Sequence, residues 1–135
     1  MTKSKTKKTT SPKPTDGELD ILRVLWERGP SSVREVHEDL VARKQTIFNT
    51  TLKLLQIMNE KGLVNRDDSG RPHIYRAAIP EEQMQKQLVN DLLDRAFGGA
   101  ARKMVAALTD TGLSAGELEE IHRVLDAHRN RKGTR

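Results

Sequence analysis

The sequence predicts a mainly α protein with one small β-hairpin: a winged helix-turn-helix followed by a C-terminal helical region. Three observations lead there. Three short amphipathic helices open the ordered chain, each with its own start and stop signals. Two strand-like segments around a Gly-containing turn follow the third helix directly. Beyond Pro80 the apolar spacing is helical again almost to the end of the 135 residues.

The first helix starts at TDGE, where Thr15 and Glu18 form a capping box. Leu19, Leu22, Leu25 and Trp26 recur at helical spacing, and Gly29-Pro30 stops the run. A second capping box, Ser32 with Glu35, opens the next helix, whose inner face is Val33, Val36, His37 and Leu40. On that apolar face His37 reads as a core or boundary residue rather than a ligand. The pattern breaks over Ala42–Thr46. The third helix is expected over Ile47–Lys61, ending at Gly62, with an inner stripe of Ile47, Thr51, Leu54, Leu55 and Met58. Asn49, Lys53, Gln56 and Glu60 lie on the opposite face.

LVNR, the turn DDSGRP and HIYRA then make the hairpin, seated by Leu63, Val64, Ile74 and Tyr75. Pro80-Glu81-Glu82 opens a long helix, with proline at its first position and acids in its first turn. Gly98-Gly99 ends it, Ala100–Leu108 forms a shorter helix closed by TDTG, and Ser114 with Glu117 caps a last one. The organisation predicted is a disordered basic tail at 1–14, a winged-helix domain at 15–79, a helical region at 80–130 and a disordered tail at 131–135.

Lys and Arg outnumber Asp and Glu by 24 to 19, a net +5, which favours a polyanionic partner. Five of the lysines lie in the first thirteen residues, so any basic surface on the folded part is local. The absence of Cys excludes disulfides, thiolate metal sites and cysteine nucleophiles. No apolar run approaches the ~18 residues that span a bilayer, and the N-terminus has no apolar signal region, so a cytoplasmic protein without a membrane partner is expected. There is no Gly-rich phosphate loop and no His/Asp/Glu cluster at ligand spacing. His122 and His128 stand six apart on one helix and do not meet. No enzyme, cofactor or metal is expected.

The third helix has the dimensions to enter a DNA major groove, and a hairpin behind it can reach the neighbouring backbone. Asn49 and Gln56 can pair bidentately with an adenine edge, and Lys53 can reach guanine acceptors or a phosphate. Thr46 and Thr50 can bond phosphates at the helix's amino end. The wing adds Arg66, Arg71 and His73. Glu60 repels DNA and is assigned no role. The C-terminal helices carry more apolar surface than one short wing covers. Met84, Leu88, Leu92, Leu93, Phe97, Leu118, Ile121 and Leu125 are therefore read as contacts of a twofold homodimer, which would place two third helices on a palindrome of double-stranded DNA. The alternative is a winged helix that serves as a protein-interaction or architectural module. Phe48 and Leu52, which border the outward face, favour that reading.

The segment TTLKLLQIMNEKGLVNRDDSGRPHIYRA, with LDILRVLWERGPSSVREV before it and FGGAARKMVAALTDTGLSAGELEEIHRVL after it, resembles the penicillinase-repressor family over about residues 15 to 128. These bacterial transcriptional repressors include the methicillin-resistance and copper-homeostasis repressors. The resemblance implies a winged-helix DNA-binding domain, a helical dimerisation region and repression by occupying a dyad operator. By position it places the recognition helix on about Ile47–Lys61 and the wing on about Leu63–Ala77. It also implies a regulatory protease as a partner in the β-lactam-responsive branch, which is cut at an Asn-Phe bond. The aligned pair here is Ala106-Ala107, which argues against cleavage at that bond but not against regulated proteolysis in general. The copper-responsive branch uses a cysteine motif that this chain lacks.

Overall fold

The computed structural model describes residues 12–133. Most of the expected basic tail, and residues 134–135, lie outside the described residues. Helix α1 (Asp16–Arg28) carries the expected capping box: the Thr15 hydroxyl accepts from the Glu18 N–H, and the Glu18 carboxylate accepts from the Thr15 N–H. Its end needs glycine, because Gly29 sits at φ 92° while its N–H bonds the Leu25 carbonyl. Helix α2 (Val33–Val41) has the same reciprocal cap from Ser32 and Glu35. Helix α3 (Phe48–Lys61) closes on Gly62 in the left-handed region, φ 85°.

Ile47 departs from the expectation of an inner position. It is the residue that precedes α3, with extended backbone (φ −112°, ψ 158°), and it is 66% exposed. An extended residue at a helix start leaves the periodic face that its spacing implies.

Strands β1 (Val64–Asp67) and β2 (Ile74–Ala77) pair antiparallel, with Arg66 opposite Tyr75 and Asp67 opposite Ile74. A single bridge extends this hairpin. Ser31 and Tyr75 exchange both backbone hydrogen bonds, at 2.9 and 2.8 Å. The link between α1 and α2 is thereby stitched to the wing, and the hairpin cannot swing away without breaking two buried bonds.

The core joins one face of each element: Ile21, Leu22, Val24 and Leu25 of α1, Val36 and Leu40 of α2, Leu55 and Met58 of α3, then Leu63, Val64, Tyr75 and Ile79. Trp26 lies against it, and its indole N–H donates to the Ile79 carbonyl at 3.0 Å. Such polar satisfaction is what allows a tryptophan to sit at the core margin.

Helix α4 (Glu81–Phe97) begins on this core. Met84 is 0% exposed within it and Leu88 packs against it. Met84, expected as a dimer contact, is sealed inside its own fold and has no surface to offer a second copy. The chain divides into two units at Val89, rather than at the expected boundary near residue 79, since the first two turns of α4 complete the winged-helix core. The second unit holds the rest of α4, then α5 (Ala101–Thr109) and α6 (Ala115–Gly133). The cap of α6 is again reciprocal, between Ser114 and Glu117. That helix runs to Gly133, into the stretch expected as a tail. Leu92, Val105, Leu108, Leu118, Val124 and Leu125 of this unit are exposed, whereas Leu93, Phe97 and Ile121 are half-buried. No helix among the described residues is long and apolar enough to cross a membrane.

Candidate nucleic-acid interface

The direction of α3 is fixed from both ends. Its last residue, Lys61, donates to the Glu18 carboxylate at 2.7 Å, and that carboxylate is only 3% exposed. An acid in the first turn of α1 and a cation in the last turn of α3 each complement the local helix dipole. Burial alone would raise the Glu18 pKa. Lys61, with the Thr15 N–H and hydroxyl, outweighs burial and leaves it below the ordinary glutamate value. Near the other end, the Thr51 hydroxyl on the buried face of α3 meets His37 Nδ1 of α2 at 3.0 Å. His37 is thus a half-buried boundary residue, as its place on an apolar face predicts.

Between those anchors α3 turns Asn49, Thr50, Lys53, Gln56 and Glu60 to solvent, while Thr46 before it is half-buried. The exposed row runs along one side of a helix whose opposite side, Thr51, Leu55 and Met58, is buried. Free amides and an ammonium are therefore presented along a rod stiffened by the core behind it.

A groove of about 410 Å³ lies between this helix, the start of α2 and the wing. Ser32, Val33 and Arg34 form one wall, Phe48, Leu52 and Gln56 another, and Arg66, Pro72, His73 and Tyr75 the third. Arg34 was not singled out from the sequence. Its guanidinium lies 5.6 Å from the Phe48 ring centroid, which puts a charge beside the amino end of α3. The signal available in the sequence was a cation in the first turn of the middle helix, where acids are favoured and arginine needs an outside reason.

The wing cations are not all free. Arg66 Nε stands 2.6 Å from the Asp68 carboxylate, and a second guanidinium nitrogen donates to it at 3.3 Å. His73 Nδ1 is 3.7 Å from the same carboxylate. Asp67 is held in the turn, accepting from the Ser69 N–H and hydroxyl at 2.9 and 2.7 Å. Those bonds, the hydroxyl first, lower its pKa. Arg71, next to the cis peptide bond to Pro72, is exposed and makes no ion pair among the described residues. Two cations in the loop before α3 are held elsewhere: Arg43 by Glu27 and Lys44 by Asp20, each at 2.9 Å. The interface thus presents Lys53, Arg71 and Arg34 directly, with Arg66 and His73 behind an internal acid.

The chain as a whole is similar to known proteins. Residues 14–127 match the family model described as penicillinase repressor. The penicillinase repressor of Bacillus licheniformis is 28% identical over 90% of this chain and 95% of its own length. The transcriptional regulator BlaI of Mycobacterium tuberculosis is 29% identical over 82% of this chain and 80% of its own. The methicillin resistance regulatory protein MecI of Staphylococcus aureus is 18% identical over 83% and 92%. Among solved structures, the Bacillus licheniformis BlaI monomer in complex with the blaP half-operator is similar at 26% identity, covering 55% of this chain and 90% of that one, with a TM-score of 0.49.

Proposed function

Because this chain belongs to the penicillinase repressor family, we propose that it is a cytoplasmic transcriptional repressor whose homodimer occupies a palindromic promoter operator and blocks transcription. The family consists of repressors and not of enzymes. The observation that carries the reading is the exposed row of Asn49, Lys53 and Gln56 on a helix fixed by core packing and by the Glu18–Lys61 pair. Amide side chains match the donor-acceptor pair of adenine, and the lysine matches the acceptors of guanine. Arg34, Arg71 and the wing contribute the charge that neutralises phosphates and supplies most of the affinity.

The exposed leucines and valines of the second unit support the dimer. A helical segment that leaves so many apolar side chains in water gains most by covering them with a second copy. Leu92, Leu118 and Leu125 are the residues proposed for that interface, joined by the half-buried Leu93, Phe97 and Ile121. A regulatory protease remains a proposed partner, with a site other than the Ala106-Ala107 bond.

Footprinting on the DNA upstream of the protein's own gene, repeated across a salt series, tests the repressor reading. A protected dyad whose contrast with random DNA survives rising salt is expected. Protection that vanishes together with binding to random duplex would refute operator recognition.

A further inference from the structure

The flank of α3 that borders the polar row is apolar at its amino end. Phe48, its first residue, is 37% exposed, and Ile47 just before it is 66% exposed. The phenyl ring is held in place. His37 meets it edge-on, with centroids 5.6 Å apart and planes at 78°, and Arg34 lies over it at 5.6 Å. His37 is itself tied to Thr51. The ring is therefore fixed at the surface rather than turned into the core, and its uncovered area is a standing cost unless something apolar covers it.

The surroundings decide what that something is. Arg34, Gln56 and Arg66 line the same groove, and Lys53 lies on the adjoining face. An exposed ring with the Arg34 guanidinium over it and the Gln56 amide in the same groove fits a polyanion that offers an isolated apolar group. The major groove of DNA offers one: the 5-methyl of thymine. The amino-terminal residues of a groove-bound helix are also the ones that come closest to base edges.

Resting on the repressor reading above, we infer that Phe48 is a specificity-determining residue that packs on the 5-methyl group of a thymine in each half-site, with Ile47 as its neighbour. Phe48 reads the apolar feature of the site, and Asn49 and Gln56 read the hydrogen-bonding features. Arg34 and His37 act as positioning residues for the ring.

The test uses the full chain and the duplex it selects from a random-sequence pool. Each thymine of that duplex is replaced singly by deoxyuridine, which removes the methyl and leaves every hydrogen-bonding group. One or two positions per half-site should lose roughly three- to fivefold in affinity, the worth of one buried methyl, and the rest should be unaffected. Phe48→Ala should bind the thymine and uracil forms of those positions equally, and Phe48→Leu should keep part of the difference. Uniform tolerance of uracil by the unaltered protein would overturn the inference whether or not any variant folds, as would a penalty that survives in Phe48→Ala. Uracil tolerance together with capture of a protein partner that Phe48→Ala loses would assign the ring to protein docking. A pool that yields no preferred sequence would overturn the repressor reading itself, so the two failures are told apart.

Discussion

Asp68 offers the most direct access to the electrostatics of the wing. Its carboxylate engages Arg66 through two nitrogens, at 2.6 and 3.3 Å, and lies 3.7 Å from His73. A phosphate approaching the wing must displace that carboxylate or share the Arg66 guanidinium with it. All three side chains are partly exposed, Asp68 at 53%, so solvent screens the internal pair and a phosphate can compete with it. Replacing Asp68 by Asn removes the charge and keeps the shape. Affinity for any duplex should then rise by up to roughly fivefold per wing. The salt dependence should also steepen, because one more cation per wing releases a counterion, adding ~0.9 to the logarithmic slope. Between 50 and 200 mM salt the variant should therefore lose roughly threefold more per wing than the parent.

Fluorescence anisotropy with a random duplex at several salt concentrations measures both quantities. Asp67→Asn is the control, since it changes net charge equally, yet the Asp67 carboxylate is hydrogen-bonded by Ser69, feels Arg76 only through a weaker charge interaction and does not touch Arg66. Unchanged slope in Asp68→Asn, a gain equal to that of the control, or weaker binding would refute the competition between Asp68 and phosphate.

Further outcomes follow from the same geometry. Asn49→Ala and Lys53→Ala should each lower discrimination between operator and random DNA by roughly 1–3 kcal/mol; competition binding reads this, and equal loss on both duplexes would count against groove reading. Arg71→Ala should weaken all duplexes alike and flatten the salt slope by about one. Leu92, 48% exposed on α4, should tolerate Asp in the monomer but not in a dimer interface, so light scattering of Leu92→Asp should report half the parent mass. Lys61→Met should destabilise the fold at neutral pH by roughly 1–3 kcal/mol, because it leaves the Glu18 carboxylate buried without its cation. The folded pKa of Glu18 is depressed below 4.5, so its contribution is present above that value and fades as pH falls through the folded pKa. Urea unfolding of parent and variant should converge in that acid range.

What the sequence made legible was whatever is encoded locally. Three capping boxes, the glycine stops and the 3.6-residue spacing each involve partners within four residues, and all three boxes form as read. The polar row of α3 was legible for the same reason, since period alone separates it from Thr51, Leu55 and Met58. The misses share a different cause. Ile47 fits the inner spacing, but spacing assumes helical backbone, and the residue before a helix is extended. Met84 and Leu92 belong to one unbroken stripe, yet one is sealed in the winged-helix core and the other is exposed. Periodicity shows that a face will be covered and is silent about what covers it.

The Ser31–Tyr75 bridge, the Glu18–Lys61 pair and the stacking of Arg34 on Phe48 join residues far apart in the chain, through groups whose local context is unremarkable. These long-range links do not make the polar row. They hold it still: one fixes the carboxyl end of α3, one fixes the wing beside it, and one fixes the ring at its amino end. A row of amides and a lysine on a loosely held helix would bind DNA by charge alone, because discrimination of base edges requires donors and acceptors within a few tenths of an ångström of their partners. Loosening an anchor such as Lys61 should therefore reduce the ratio of operator to random binding before it reduces binding to random DNA, a signature that loss of a phosphate contact cannot produce.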